Sequence, residues 1–327
     1  MLPGPLRLRL PSPLQPLDDE VLAAAGVHVW LKRDDLIHPE LPGNKWRKLK
    51  YNLEAAAGRD LLTFGGAYSG HIRATAAAGQ HFGLGTIGVI RGEPHEPLNW
   101  SLRYAVGRGM RLRYLDRQAY RRKTSPEFID ELRHELGDFY LLPEGGSNAL
   151  AVRGCAEIPP ELTTQLPAPT TPTPTPTTTP TPATGADLAG GTGVGWDVIC
   201  CPCGTGGTLA GIAAGLSPGQ RAIGFSVLKG GDFLTPEVAR LQRAALGDVP
   251  GDWRVECGFH FGGYARRTPE LDDFIATFER RHSLRLDWIY VAKMMFGIYT
   301  LTRQGAFPPG TRLVALITGP PTPGDSS

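Results

Sequence analysis

At 327 residues the chain is long enough for two domains, or for one large domain with a generous core, and its 41% apolar and 20% charged content is ordinary for a soluble globular protein. Its 34 basic and 32 acidic side chains leave a net charge of +2, which gives no electrostatic case for nucleic acid or an anionic membrane as partner. No stretch stays apolar for a bilayer's thickness, and Met1 to Leu17 is broken repeatedly by proline, so a cytoplasmic protein is expected. Three of the five cysteines, Cys200, Cys201 and Cys203, crowd beside a glycine loop. They read as small buried residues at a strand end, with neither a disulfide framework nor a metal site expected.

In chain order, Val27 to Lys32 reads as a strand, and Arg33-Asp34-Asp35 leads out of it toward a helix opened at Gly43-Asn44. Trp46, Leu49, Leu53 and Ala57 then recur at helical spacing, while Lys45, Arg47, Lys48 and Lys50 crowd the first turns, where the helix dipole is already positive. An anion bound there would remove the conflict. A solvated basic face would also explain four charges, and from this segment alone it is the simpler reading. Lys45 and Lys48, three apart, share a face, and a lysine among like charges is a candidate amine nucleophile.

A strand–loop–helix unit then repeats. Leu61 to Phe64 is a strand, Gly65 to Gly70 a glycine loop and His71 to Phe82 a helix. Further strands fall at Thr86 to Ile90, Arg111 to Leu115 and Phe139 to Leu142, with helices at about Pro97 to Val106 and Pro126 to Leu136 between them. Pro143-Glu144-Gly145-Gly146-Ser147-Asn148 leads into a helix from Ala149 that should stop at Pro159-Pro160. From there to about Gly195 the chain is dominated by proline and threonine, a composition that cannot build a core and reads as an extended or disordered insert. Trp196 to Cys201 is a strand, with a helix from Leu209 to Leu216 behind it, and Arg221 to Leu228 is the next strand. Helices are expected at about Pro236 to Leu246, Pro269 to His282 and Lys293 to Gln304, before a last strand at Leu313 to Ile317. Strands and helices alternating at this spacing predict parallel sheets with helices on both faces.

Among the loops, Gly204-Thr205-Gly206-Gly207-Thr208 carries the sharpest signal. Glycines between a strand and a helix let backbone N–H groups converge on an anion, and two threonines add hydroxyl donors. Position 209 is Leu, so neither a dinucleotide fingerprint nor a Walker loop is present, and a single phosphate is the expected ligand. Ser69 stands at a helix start where donors could hold a carboxylate, although a simple cap is the commoner role, and His71 beside it has no visible partner. Tyr264 and Tyr290 could assist proton transfer or could be core aromatics. Arg121-Arg122-Lys123 reads as a solvated face.

A lysine helix, a single-phosphate cup about 160 residues later and a glycine–serine helix start between them form a set that resembles the pyridoxal-phosphate enzymes of the tryptophan synthase β-like fold. Within these the chain is similar to the 1-aminocyclopropane-1-carboxylate deaminase and D-cysteine desulfhydrase family, through Leu31-Lys32-Arg33-Asp34-Asp35, Gly43-Asn44-Lys45, Gly66-Ala67-Tyr68-Ser69, Pro143-Glu144-Gly145-Gly146, Gly204 to Thr208, and Tyr290 with Lys293. The resemblance implies pyridoxal 5'-phosphate held by Lys45 as a Schiff base, with its phosphate on Lys48 and Gly204, Thr205, Gly206, Gly207 and Thr208. It implies that Ser69 faces the substrate carboxylate, or acts near its carbon, and that Tyr264 and Tyr290 approach the substrate amine. It also implies a larger cofactor-binding domain of residues 1–51 and 144–327, a smaller one of 52–143 with the insert at 159–195, a small amino-acid substrate and a homodimer. Where the family usually has Asn after the serine the chain has Gly70, and where the cyclopropane deaminases have a glutamate after the second tyrosine it has Val291. The latter favours β-elimination of the desulfhydrase kind over cyclopropane opening. A cofactor-binding protein with little activity and a nucleotide-dependent α/β protein are the rival readings.

Overall fold

The protein is described by a computed structural model over residues 6–167, 195–247 and 251–320. In chain order the elements are β1 (Leu14–Leu17), α1 (Glu20–Ala24), β2 (His28–Lys32), α2 (Asn44–Ala56), β3 (Leu61–Gly66), α3 (Gly70–Phe82), β4 (Thr86–Arg91), α4 (Trp100–Gly107), β5 (Met110–Leu115), α5 (Pro126–Leu136), β6 (Tyr140–Leu142), α6 (Ala149–Cys155), α7 (Ile158–Gln165), β7 (Val198–Cys203), α8 (Gly207–Ala214), β8 (Arg221–Ser226), α9 (Leu234–Leu246), β9 (Asp252–Glu256), α10 (Pro269–His282), α11 (Val291–Arg303) and β10 (Arg312–Leu316).

The strands form two sheets. One has the order β1-β2-β10-β7-β8-β9 and the other β5-β4-β3-β6. Every pairing is parallel except the edge pair of β1 with β2. Alternate side chains of the larger sheet feed two cores: Val198, Cys200 and Phe225 pack with α10 and α11, while Ile199, Cys201 and Ala222 pack with α6 to α9. This is the α/β architecture with helices on both faces, and continuous burial along β7 and β3 is what a parallel sheet covered on both sides requires. The cysteines at 200, 201 and 203 are free and buried, as their composition predicts.

Four elements differ from the sequence reading. The edge strands β1 and β9 and the short helix α1 were not foreseen, because their burial patterns are irregular and their pairing partner supplies the regularity. The segment assigned to the insert begins as helix α7, since Pro159 and Pro160 lie in its first turn, where the missing N–H groups need no intrahelical partner. Residues 168–194 of the expected insert lie outside the described residues. Gly195 returns so close to the Leu166 carbonyl that a Cβ would collide with it.

Helix α7 matters because of Glu161. Arg47 on α2 makes a paired contact with Asp34, Nε to Oδ2 at 2.6 Å and one terminal nitrogen to Oδ1 at 2.8 Å, and its other terminal nitrogen reaches Glu161 at 3.0 Å. Lys32 at the end of β2 donates to the Ser12 carbonyl, Glu161 and Gln165, while the Ser12 hydroxyl donates to Asp34 at 2.6 Å. Asp34 and Lys32 are wholly buried and Arg47 is 2% exposed. Burial alone would raise the pKa of Glu161, but the Arg47 charge and the hydrogen bonds from Arg47 and Lys32 outweigh it and hold the carboxylate below its ordinary 4.5.

Removing one member of such a network leaves a buried charge unpaired. Arg47→Met should therefore cost about 3–5 kcal/mol of unfolding free energy in chemical denaturation. Because the folded-state pKa of Glu161 is lowered, its contribution is complete above its ordinary 4.5 and is lost as pH falls through the lowered value. In Glu161→Gln, the stability that wild type loses on acidification below that point should be correspondingly smaller.

Candidate functional site

Both sheets change direction of winding at one place. In the smaller sheet β4 and β5 lie on one side of β3 and β6 on the other; in the larger, β8 and β9 lie on one side of β7 and β10 on the other. Ligands of open α/β sheets bind beyond the carboxyl ends of strands at such switch points. The loops there follow β3, β6, β7 and β10, and they are the segments that hold Ser69, Gly145 to Ser147, Gly204 to Thr208, and Thr318.

These loops meet at the start of α2. Gly43, at φ +60°, precedes it with no Cβ because the Thr318 carbonyl occupies that space. Asn44 donates to the Thr208 hydroxyl at 2.8 Å, across 164 residues. Lys48 Nζ donates to the Gly145 carbonyl at 3.1 Å and to Ser147 Oγ at 3.0 Å, and Ser147 Oγ shares a 2.6 Å hydrogen bond with Thr205 Oγ1. At Gly207, the first residue of α8, a Cβ would stand 2.5 Å from Ser147 Oγ and 3.2 Å from Lys48 Nζ. The free N–H groups of the first turn of α8 therefore open onto a cradle lined by Lys48 and three hydroxyls.

Lys48 is 3% exposed and is bonded only to neutral oxygens, and burial lowers its pKa. Lys45, one turn earlier, has its pKa lowered to about 7, first by burial and then by the Lys48 charge. Its side chain keeps some surface open to the cleft, and its Nζ makes no hydrogen bond among the described residues. His71 is 2% exposed, and neither ring nitrogen has a partner among the described residues. Burial, then the charges of Lys45 and Lys48, push its pKa well below 6.5, so it is neutral. Two lysines and a histidine come together here, and among the described residues no carboxylate is bonded to any of them.

Ser69 caps α3, its Oγ accepting from the Ile72 N–H at 3.3 Å. At Gly70 beside it, a Cβ would be 3.9 Å from Lys45 Cε and 3.6 Å from an Arg73 terminal nitrogen, so a side chain there would look into the cleft. Tyr290 lies against Gly204 at 3.3 Å from the position of a Cβ, and its ring meets Tyr264 edge to face at 5.9 Å. Asp287 sets Tyr290 by accepting from the N–H groups of Ile289, Tyr290 and Val291. Tyr264 follows a left-handed run, Phe261-Gly262-Gly263, which Lys293 straps to α11 by donating to the His260 and Gly263 carbonyls at 2.9 and 2.7 Å. Burial raises both phenol pKa values, that of Tyr290 further, so both keep their protons at neutral pH.

The structure thus brings Lys45, Lys48, Ser69, Gly204 to Thr208, Tyr264 and Tyr290 to a common cleft. Sequence reasoning assigned no role to Ser147, Asp287 or Lys293, gave Asn44 only the opening of α2, where its side chain instead reaches across to Thr208, and set His71 aside. Ser147 had a usable signal: a glycine-rich loop after a short strand is the same device as the loop at 204–208. Asp287 and Lys293 serve backbone groups of unrelated loops, which no local pattern announces. Among the described residues no group of three or more His, Cys, Asp or Glu side chains could hold a metal ion.

Residues 6–319 match the family model described as pyridoxal-phosphate dependent enzyme. A Pyrococcus horikoshii protein provisionally named a 1-aminocyclopropane-1-carboxylate deaminase is 28% identical over 317 residues, covering 94% of this chain and 89% of that protein. The Arabidopsis thaliana mitochondrial bifunctional D-cysteine desulfhydrase/1-aminocyclopropane-1-carboxylate deaminase is 28% identical over 313 residues, covering 90% of this chain and 72% of its own length. The crystal structure of an ACC deaminase homologue superimposes with a TM-score of 0.74 at 26% identity, covering 96% of this chain and 90% of that one. With its sheets, its lysine helix and its anion cradle accounted for, the chain belongs to the pyridoxal-phosphate dependent enzyme family.

Proposed function

We propose that the chain is a lyase for a small amino acid, with D-cysteine as the substrate to try first, converting it with water to pyruvate, ammonia and sulfide. The observation that carries this reading is Lys45: an amine with its pKa near 7, on the same helix face as a buried lysine that lacks a counter-anion. The cleft fits the family's cofactor. Its phosphate dianion would neutralise Lys48 in the cradle of Thr205, Thr208, Ser147 and the first turn of α8, and polar atoms of a ligand would meet the unpartnered His71 nitrogens. Lys45 would hold the cofactor's aldehyde carbon. When bound, the cofactor supplies an electron sink at the substrate's α-carbon.

The chain's own groups would do the rest. An amine with a pKa near 7 is free to take a proton at neutral pH, so Lys45 is suited to remove the α-hydrogen. Ser69 and the start of α3 offer donors for the substrate carboxylate. Tyr264 and Tyr290, protonated at neutral pH, are suited to donate to a departing sulfur and ill suited to act as phenolate nucleophiles. That argues for elimination over ring opening, which needs a nucleophile at a ring carbon. Val291 points the same way, being fully buried within an apolar core. Cyclopropane deamination is the second reading, supported by the names of the relatives. A cofactor-binding protein with little activity is the reading of a different class, supported by Gly70. We read the protein as a homodimer from its family resemblance and as cytoplasmic from its ordinary composition; among the described residues no helix is long and apolar enough to cross a membrane.

Borohydride reduction of the cofactor-loaded protein followed by peptide mapping should find the pyridoxyl group on Lys45. Lys45→Ala should lower pyruvate and sulfide release from D-cysteine by about 10²–10⁴-fold, the range for loss of a positioned acid–base group. Release of 2-oxobutyrate from the cyclopropane amino acid without sulfide from D-cysteine would favour the second reading; cofactor capture with neither product would leave the binding protein. Capture of cofactor by the cofactor-free protein should accelerate as pH rises through about 7, since Lys45 is the nucleophile only when deprotonated. Gly70→Asn has nothing closer than 3.6 Å to its first side-chain atom, so it should fold with unchanged stability while shifting the cofactor's absorption band.

A further inference from the structure

A second cavity, of about 420 Å³, is lined by Arg91, Arg117, Tyr120, Arg121, Lys123 and Glu144. It lies beyond the carboxyl ends of β4 and β5: Arg91 is the last residue of β4, and Arg117 and Arg121 follow β5. Four cations face one carboxylate here, leaving three positive charges around a concavity. Glu144 is already engaged, accepting from the Tyr120 hydroxyl at 3.0 Å and pairing with Lys123 at 3.5 Å. Arg91, Arg117 and Arg121 have no ion pair among the described residues, although Arg91 lies 5.8 Å from the Tyr120 ring centroid. Other exposed arginines between β4 and β6 have taken carboxylates: Arg111 with Asp60, Arg113 with Glu135, Arg122 with Glu131 and Arg133 with Asp130. The basic run at 121–123 is largely solvated, and its side chains part company. Arg122 turns to Glu131, while Arg121 and Lys123 line the cavity.

The cavity adjoins the cleft through two of its loops. A Cβ on Gly66, which opens the loop to Ser69, would be 3.9 Å from an Arg91 terminal nitrogen, and Glu144 directly precedes the Gly145 whose carbonyl holds Lys48. The Arg91 charge reaches Tyr264, and that of Glu144 reaches Tyr290.

From this placement we infer that the cavity is a second anion-binding site, distinct from the phosphate cradle, that takes the carboxylate or phosphate group of a small molecule on Arg91, Arg117 and Arg121. Guanidinium forks match the oxygens of either group and would gain the counter-charge the cavity lacks. The anion could come from either of two sources, the distal acidic group of an amino-acid substrate or a separate anionic molecule, and the test separates them.

Inorganic phosphate is titrated calorimetrically, in low-salt buffer, into protein already loaded with pyridoxal phosphate so that the cradle is filled. Saturable binding that weakens as sodium chloride is added is expected. In the double variant Arg117→Gln/Arg121→Gln, binding should weaken by about fivefold or more, the effect of losing two exposed charge contacts. A control of equal net charge, Arg103→Gln/Arg280→Gln, alters exposed arginines away from the cavity and should bind as wild type. If the site serves the substrate, phosphate will compete with amino acids bearing a distal carboxylate and not with neutral ones. If it serves a separate molecule, phosphate will compete with neither. Absence of saturable binding, or an equal loss in the control, overturns the inference. The readout is heat without turnover, so failure of the proposed lyase reaction would leave this result interpretable.

Discussion

The pairing of Arg47 with Asp34 is the constraint on which the arrangement of the cleft depends. Four basic side chains in the first two turns of α2 would repel one another and the helix dipole if they shared an environment. The fold gives them different ones. Arg47 turns into the protein to meet Asp34 and Glu161, Lys50 reaches Glu157 at 2.6 Å, and only Lys45 and Lys48 are left facing the cleft. Because a bidentate contact fixes both distance and rotation, it sets the face that α2 presents as well as its position. The two lysines without counter-anions are thus a product of the two cations that have them.

Around that helix, topology does what no single residue could. Each sheet presents carboxyl strand ends at its switch point, and the loops that leave those ends are short, rich in glycine and hydroxyl residues, and tied to one another. Ser147 from the smaller sheet's last strand shares a proton with Thr205 from the larger sheet, and Lys48 bonds the same serine. The close approaches at Gly207 and at Gly43 leave no room for a Cβ, so glycine at these positions follows from neighbours brought together by the fold. A pocket so assembled sets a buried lysine on neutral oxygens, with no carboxylate bonded to it among the described residues, an arrangement suited to an anionic ligand.

Much of this was legible in the chain. Alternating strands and helices gave the parallel sheets, and Gly204 to Thr208 stood out because strand end, glycine and hydroxyl fall within five residues. The charges at 45, 47, 48 and 50 were visible too, but not their separate fates, since Asp34 lies behind α2 in sequence and Glu161 more than a hundred residues ahead. Glu161 was hidden further by Pro159-Pro160, which read as the end of a helix and are in fact at the start of one. Edge strands β1 and β9 lack the alternation that would announce them, and they exist because β2 and β8 offer a free edge. His71 was seen and set aside for want of a partner. The structure shows the same want, and in a buried ring it has the opposite meaning.

The tyrosines carry the argument to its last step. Tyr264 and Tyr290 are not held by the cleft they face; their backbones are held from behind by Lys293 and Asp287, through carbonyl and N–H groups that any sequence would supply. Their identities are therefore free to change without loss of the scaffold, and so is that at 70, where a side chain would face Lys45 and Arg73. Lys48, Ser147, Asn44 and the glycines have no such freedom, because each closes a contact between segments far apart in the chain. The cleft divides into a half fixed by contacts between distant segments, which carries Lys45 and Lys48, and a half whose side chains the scaffold leaves free to vary.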